Sequence, residues 1–347
     1  WADDKYDAAT AFIAYKRLRD QHHPILWFSL CPDYVAAPAK DMFERDKTPI
    51  ILYTAYVQDL FSPPGMFFSF GFVPANNFTG VAKWVLQDWE ASGGTGRPKL
   101  GYLHWELLHG TAALEAGADK WAEEHGVDVV TRTYTPMPLD LRPQLIGLRD
   151  EGVDYVFFIG VAADWIALVR DARAAGLWDE MKFILDPSGD PYVYLLPVVG
   201  EDAEGLYQLA NNEPWSAGPE VAKALRIGAE IREWAGHSPS RVDVASTAAM
   251  KQILTTVIRQ AVADVGYENL NGEAMYNAMM KMGPLDTQGG FKIAGWGPDR
   301  RVAQSGMKML QYRKMAPGSE VPPDGVMIET VAVSDWIETT NIFGGDW

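Results

Sequence analysis

The chain has 347 residues, of which 48% are apolar and 22% charged, and its formal net charge is −16. A chain of this length predicts two domains rather than one. The acidic balance argues against a nucleic-acid-binding protein, which needs a basic face, and no apolar run approaches the ~18 residues of a membrane span. The single cysteine, Cys31, can form neither an internal disulfide nor, by itself, a metal site.

The first ninety residues alternate between short apolar strands and amphipathic helices. Trp1–Asp4 looks like the end of a strand that runs into a helix, so we expect further residues before Trp1 in the natural protein. Apolar positions spaced three and four residues apart predict helices, and short apolar runs predict strands. The predicted strands are Pro24–Phe28, Pro49–Tyr53 and Phe67–Phe72; the predicted helices are Val35–Arg45 and a segment carrying Phe78, Val81, Ala82, Val85 and Trp89.

The alternation restarts after the glycine-rich segment Gly93–Gly96. Its most informative stretch is Asp154–Asp190, where two apolar strands flank a helix that Gly176 ends. Continuous apolar strands joined by amphipathic helices predict a parallel sheet covered on both faces, and ligands of such sheets bind beyond the carboxyl ends of the strands. The strands predicted here are Lys99–Leu103, Val127–Tyr134, Tyr155–Gly160, Phe183–Leu185 and Gly205–Leu209; the helices are Thr111–His125, Leu139–Asp150 and Ala163–Ala175.

After Leu209 helices dominate, and strands return only late in the chain. A lobe that is interrupted and then resumed predicts several crossings between two α/β lobes, which is a hinge architecture with a ligand cleft between them. The predicted helices are Glu220–Ala235, Val244–Val265 and Glu273–Met282, and the late strands are Phe291–Ile293, Met307–Tyr312 and Val326–Glu329.

Two patterns resemble metal or catalytic motifs without matching their geometry. His104–His109 reads H-x-E-x-x-H rather than the zinc motif H-E-x-x-H, and histidines five residues apart lie about 140° round a helix. Asp186 and Asp190 suit an acid/base or metal pair, but capping and turn formation explain most such aspartates. No phosphate-binding glycine loop or nucleophile elbow occurs in the sequence. We therefore predict a protein that is not an enzyme, with no catalytic residue, no metal and no cofactor.

Aromatic and polar residues collect where the predicted strands end. Inside a helix such aromatics would be core, but at loop tips beside hydroxyl groups they favour a pocket wall. The candidates are Tyr34, Tyr53, Thr54 and Tyr56 in the first series, and Trp105 and His109 in the second.

Several segments, none of them specific alone, also occur in a recognisable order along nearly the whole chain. They are Asp3–Ala9, Ser29–Cys31, Pro38–Asp41, Thr48–Ile51, Phe70–Asn77 leading into Gly80, Asp154–Leu177 and Gly200–Leu206. In this order they resemble the type I periplasmic solute-binding proteins of ABC importers, in the leucine/isoleucine/valine-binding branch.

The resemblance implies an α/β fold of two Rossmann-like, three-layer lobes joined by about three crossovers. It places residues 1–73 and 211–300 in lobe 1 and residues 74–210 and 301–347 in lobe 2. It also implies that a strand-helix-strand unit precedes Trp1.

The resemblance further implies where a ligand binds. In the family, small hydroxyl residues and a Thr at two strand ends receive an amino-acid carboxylate, and these places correspond to Tyr34 and Thr54–Tyr56. A Tyr before Gly aligns with His109, an aromatic position aligns with Val161–Ala162, and the acidic residue that holds the α-ammonium aligns with Asp186. These departures point away from branched-chain amino acids and towards an aromatic or other small carboxylate, an amide, or an unusual amino acid.

We therefore expect a periplasmic or otherwise extracytoplasmic receptor, made with a signal peptide, that captures a small molecule and delivers it to ABC permease subunits. We expect a monomer or weak dimer with no nucleic-acid partner. A ligand-sensing regulatory module on the same fold is the alternative. An enzyme that uses His109 with Asp186 across the cleft is a further alternative.

Overall fold

The computed structural model describes residues 1–3, 5, 7–29, 33–56, 60–71, 73–214, 234, 236, 245–287, 290–321 and 325–340. Cys31 lies outside the described residues, as does the predicted helix Glu220–Ala235 apart from Trp234. Among the described residues, no helix combines the length and the apolar character needed to cross a membrane.

A three-stranded parallel sheet forms from the first third of the chain, with its strands paired in sequence order. Helices from both ends of the chain cover it. The strands are β1 (Trp27–Ser29), β2 (Ile50–Leu52) and β3 (Phe67–Ser69), and the helices are α1 (Ala8–His22), α2 (Asp33–Asp46), α10 (Ala245–Val265) and α11 (Gly272–Met279).

Alternation along the strands gives this sheet its two apolar faces, because successive side chains of a strand point to opposite sides. Ile50 and Leu52 belong to a buried cluster with Phe43 of α2. Ile51 and Phe68 belong to a different cluster, together with residues of α10 and α11. The result is a three-layer arrangement of helices, sheet and helices.

A second, mixed sheet of nine strands forms from the middle and the end of the chain, in the order β11-β10-β8-β7-β6-β4-β5, with β9 and β12 also paired to β10. The strands are β4 (Lys99–Trp105), β5 (Asp128–Tyr134), β6 (Tyr155–Phe158), β7 (Lys182–Leu185), β8 (Tyr207–Ala210), β9 (Lys292–Ile293), β10 (Gln304–Lys314), β11 (Ile328–Ala332) and β12 (Ile337–Glu338). The pairs from β5 to β8 are parallel, whereas β10 runs antiparallel to its neighbours.

Helices cover both faces of this sheet as well. Tyr102 and Phe157 pack in one cluster with Phe78 of α3, and Phe158 packs in the other with Trp165 and Leu168 of α7. The helices between the two sheets and along the second one are α3 (Pro74–Ala91), α4 (Leu108–Glu115), α5 (Ala118–Glu124), α6 (Arg142–Asp150), α7 (Ala162–Ala174), α8 (Pro191–Tyr194) and α9 (Leu196–Val199). Short 3₁₀ turns lie at Gly200–Ala203 and Tyr267–Asn269.

The chain passes between the two sheets after β3, after β8 and before β10. Backbone hydrogen bonds tie the first and last of these passages together, because Ser69 N donates to Arg301 O and Ala303 N donates to Ser69 O, each at 2.7 Å. A buried side-chain hydrogen bond of 2.7 Å from Gln304 Nε2 to Asn211 Oδ1 joins the last passage to the second. The α/β architecture and the type of its connections agree with the sequence prediction, while the proposed lobe boundaries stay a prediction.

Several element boundaries differ from the sequence prediction, and three of the differences bear on the site. The predicted helix Thr111–His125 is wrong as a single element, because Gly117 takes a left-handed conformation (φ +78°) that separates α4 from α5. The predicted strand Phe67–Phe72 ends at Ser69. Helix α2 begins at Asp33, so Tyr34 lies in a helix rather than in the expected loop.

A cavity of about 430 Å³ lies between α1 and the edge strand β1. Its lining is mainly apolar and includes Tyr15, Leu18 and Trp27. Among its described lining residues, none is a candidate site residue.

Candidate functional site

The site lies where the carboxyl-terminal ends of the two sheets face each other. Tyr56 follows β2 of the first sheet, and His109 follows β4 of the second as part of the first turn of α4. Tyr56 Oη lies 2.9 Å from His109 Nδ1, and the two rings meet edge to face at 5.2 Å. This hydrogen bond joins residues that sequence analysis assigned to different lobes.

His109 also contacts the end of β7 through its other ring nitrogen. Nε2 lies 3.2 Å from Asp186 Oδ2 and 3.0 Å from Ser188 Oγ. Ser188 donates its hydroxyl hydrogen to the same Asp186 oxygen, and Gly160 N donates to Asp186 Oδ1 at 3.4 Å. The side chain of Asp186 is 2% exposed and that of His109 is 15% exposed. A hydrogen-bonded chain therefore runs from Tyr56 through His109 to a buried carboxylate.

Two buried tyrosines hold the backbone on either side of this chain. Tyr102 donates to Gly110 O at 2.9 Å, and Tyr134 donates to Ile159 O at 2.7 Å. Burial raises the pKa of both phenols, and the negative charge of Asp186 raises each pKa further. Both hydroxyl groups therefore stay protonated and serve as hydrogen-bond donors at any physiological pH.

A second buried carboxylate, Asp164 in α7, organises the adjacent loops. Met137 N donates to its Oδ1 at 2.7 Å and Val161 N to its Oδ2 at 3.2 Å. Burial raises the pKa of Asp164, and the contacts with Val161, Met137 and Trp105 oppose that rise. The loops after β5 and β6 are thus fixed to one side chain, which holds the rim of the site in place.

The structure brings Tyr56, Trp105, His109 and Asp186 together, with the Trp105 and His109 rings 5.5 Å apart. The other candidates are placed differently. Tyr53 packs on Phe70 and Phe291, with ring centroids 5.5 and 6.1 Å away, and Thr54 beside it is buried. Ala162 is the half-buried first residue of α7, and the side chain of Tyr34 lies outside the described residues. Binding by any of these residues stays a prediction.

Sequence reasoning did not single out Ser188 or the backbone N–H of Gly160. Both lie at strand ends already identified as ligand positions, and Ser188 follows Asp186 by two residues, a common spacing for a local turn. By contrast, Asp190 caps α8, accepting from Tyr192 N at 2.9 Å, which is the structural role that turn chemistry predicts.

The two histidines of the H-x-E-x-x-H pattern have separate environments. His104 belongs to β4, where its ring stacks on Tyr102 at 4.7 Å and its Nδ1 lies 2.7 Å from Trp105 O. His109 belongs to α4 and contacts Tyr56 and Asp186 instead. Within the described part of the chain, no group of three or more His, Cys, Asp or Glu side chains has the arrangement of a metal centre.

Comparison with known proteins adds a family match. A family model described as "Periplasmic binding protein" matches residues 1–317. Among proteins with curated descriptions, none matches the sequence at a significant level.

Solved structures share the fold at low sequence identity. A branched-chain amino acid ABC transporter protein from Thermus thermophilus, solved with valine, has 18% identity and a TM-score of 0.77, covering 98% of this chain and 85% of its own. A fatty acid ABC transporter substrate-binding protein from Thermomonospora curvata has 18% identity and a TM-score of 0.72, covering 99% and 81%. An ABC transporter solute-binding protein from Rhodopseudomonas palustris BisB5, solved with 3,4-dihydroxybenzoic acid, has 16% identity and a TM-score of 0.73, covering 98% and 86%. The fold is therefore that of the type I periplasmic binding proteins.

Proposed function

The chain belongs to the periplasmic binding protein family, and we propose that it is the extracytoplasmic solute-binding receptor of an ABC importer. The observation that carries the proposal is the hydrogen-bonded chain from Tyr56 through His109 to Asp186. It crosses from the strand ends of one sheet to those of the other, which is where a ligand would contact both lobes at once. Such a ligand favours the closed arrangement through its different contacts with the closed and open states.

The ligand that we propose is a small amino-acid-like molecule, another carboxylate or an amide. The relatives support this range, because valine, 3,4-dihydroxybenzoic acid and fatty acids each carry a carboxyl group. The partners are then ABC permease subunits in the membrane, with the receptor acting as a monomer or weak dimer. Capture and release need no chemical step, so no residue of the site is given a catalytic role.

A thermal-shift screen of the full-length protein tests the binding role, using amino acids, aromatic acids, short aliphatic acids and amides. A ligand at a hundredfold excess over its Kd stabilises the folded state by about 2.7 kcal/mol. We expect a saturable shift that His109→Ala abolishes and that His125→Ala leaves intact, since His125 stacks on Trp121 at an exposed position. A screen without any hit contradicts the proposal, and so does a hit that both variants retain.

Transport is tested separately from binding. Deleting the gene from its host should abolish high-affinity uptake of the radiolabelled hit, and supplying the intact chain should restore it. A regulatory sensor would instead leave uptake kinetics unchanged and alter only the response of other genes to the ligand.

A further inference from the structure

We infer that the ligand of this site is an aromatic acid without an ammonium group, an inference that rests on the solute-binding role proposed above. The starting point is the state of Asp186. Its carboxylate accepts from Gly160 N on one oxygen and from Ser188 and His109 on the other, and its side chain is 2% exposed. All three donors belong to the protein itself. Because the side chain is almost fully enclosed, an ammonium group would have to displace at least one of them to reach Asp186.

The contacts of His109 support the same conclusion. The ring of His109 meets Tyr56 and Asp186 at the same time, because Nδ1 forms the hydrogen bond with Tyr56 Oη while Nε2 faces Asp186 Oδ2. Tyr56 belongs to the opposite sheet, so an ammonium group that displaced His109 would also break the contact that joins the two sheets. A cationic ligand group would therefore oppose closure, whereas a ligand that leaves Asp186 to His109 would not.

The electrostatics of the surrounding backbone favour an acid. Helix α4 begins at Leu108, next to His109, and helix α7 begins at Ala162, after the strand that ends beside Gly160. The amino-terminal end of a helix carries partial positive charge and favours an anion. The strand ends thus combine a carboxylate that the protein itself engages with the amino-terminal end of α4, which attracts negative charge. At the start of α7 that place is already taken by Asp164, which accepts from Val161 N.

Aromatic rings supply the apolar surface. Trp105 and Tyr56 lie on His109, at 5.5 and 5.2 Å between ring centroids. At the ends of the first sheet, Tyr53 packs on Phe70 at 5.5 Å. Flat rings at loop tips match an aromatic ligand, which stacks offset or edge to face.

Isothermal titration calorimetry on matched acids tests the inference. The pairs are 3-phenylpropanoate with L-phenylalanine and 3-(4-hydroxyphenyl)propanoate with L-tyrosine, which differ only in the ammonium group. 4-Methylpentanoate with L-leucine is the aliphatic counterpart. We expect each aromatic acid to bind at least tenfold more tightly than its amino acid and than 4-methylpentanoate. Tighter binding of any amino acid than of its partner acid overturns the ammonium argument, and tighter binding of 4-methylpentanoate overturns the aromatic one.

Asp186→Asn provides a second, independent readout. Asparagine keeps an oxygen that can accept from His109 but removes the charge that an ammonium group needs. We expect the substitution to change the affinities of an aromatic acid and of its amino acid by the same factor within tenfold, whereas an amino acid whose ammonium sits on Asp186 would lose at least a hundredfold relative to its partner acid. If the wider solute screen gives a saturable hit while no aromatic acid binds, the receptor role stands and this inference fails. If nothing binds in either experiment, both fail.

Discussion

Gly110 controls the position of His109, and replacing it with alanine is the sharpest structural perturbation that the site offers. A β-carbon at residue 110 would lie 2.2 Å from Trp105 O and 2.8 Å from Trp105 N, both of them backbone atoms of β4. Backbone atoms of a central strand cannot rotate away, so α4 must shift. Overpacking of this kind costs up to about 3 kcal/mol, and the better helix propensity of alanine offsets up to about 1 kcal/mol. The expected net loss is therefore about 2 kcal/mol.

Gly147→Ala is the matched control. Gly147 lies inside α6, and its β-carbon would approach nothing closer than Arg132 Nε at 3.7 Å. The same substitution should stabilise the protein there by about 0.5–1 kcal/mol. Urea unfolding followed by circular dichroism would give midpoints that move in opposite directions for the two variants. The reasoning is refuted if Gly110→Ala is as stable as the parent, because α4 would then have room that the structure denies it.

Three further predictions concern the site and the core. Tyr56→Phe removes the hydrogen bond to His109, which is worth about 0.5–1.5 kcal/mol. The ratio of open to closed molecules should therefore rise roughly two- to tenfold, which small-angle scattering would detect as a larger radius of gyration. An unchanged scattering curve would show that this bond does not hold the two lobes together. Burial lowers the pKa of the His104 imidazole below its ordinary value of 6.5. The neutral ring therefore adds to the free energy of unfolding above pH 6.5, and this contribution is lost as the pH falls through the folded-state pKa. An NMR titration midpoint at or above 6.5 would contradict this. Phe78→Ala removes a fully buried ring and should lower the free energy of unfolding in urea by about 3–5 kcal/mol. Leu139 is 94% exposed, so Leu139→Ala should change that free energy by no more than about 0.5 kcal/mol. Equal losses in the two variants would contradict the assigned core.

Sequence reasoning located the strands and the layer order because both depend on local patterns. Apolar runs such as Tyr155–Phe158 and the stripe on α3 are recognisable without knowing their neighbours. Ends of elements were less predictable. Helix α4 and helix α5 read as one helix, since only the left-handed conformation of Gly117 separates them.

The site was predictable as a set of positions but not as a set of contacts. Ligands of parallel sheets bind at the carboxyl ends of the strands, and this rule needs only the order of the strands. It pointed to Tyr56, Trp105, His109 and Asp186. Which side chain pairs with which depends on the angle between the two sheets, and no local pattern encodes that angle. The engagement of Asp186 by Ser188 and by the backbone of the neighbouring strand end is for this reason a finding of the structure alone.

The pairing of distant segments has a consequence for biosynthesis. The first sheet needs α10 and α11 to bury Ile51 and Phe68, and β8 needs β10, which lies about a hundred residues later, to cover its free edge. Neither half can finish packing while the ribosome is still adding the last third of the chain. Until residue 314 has emerged, the nascent chain exposes apolar sheet surface and an unpaired strand. The chain therefore stays open to aggregation until its last third is available, and a premature stop would disable both halves together.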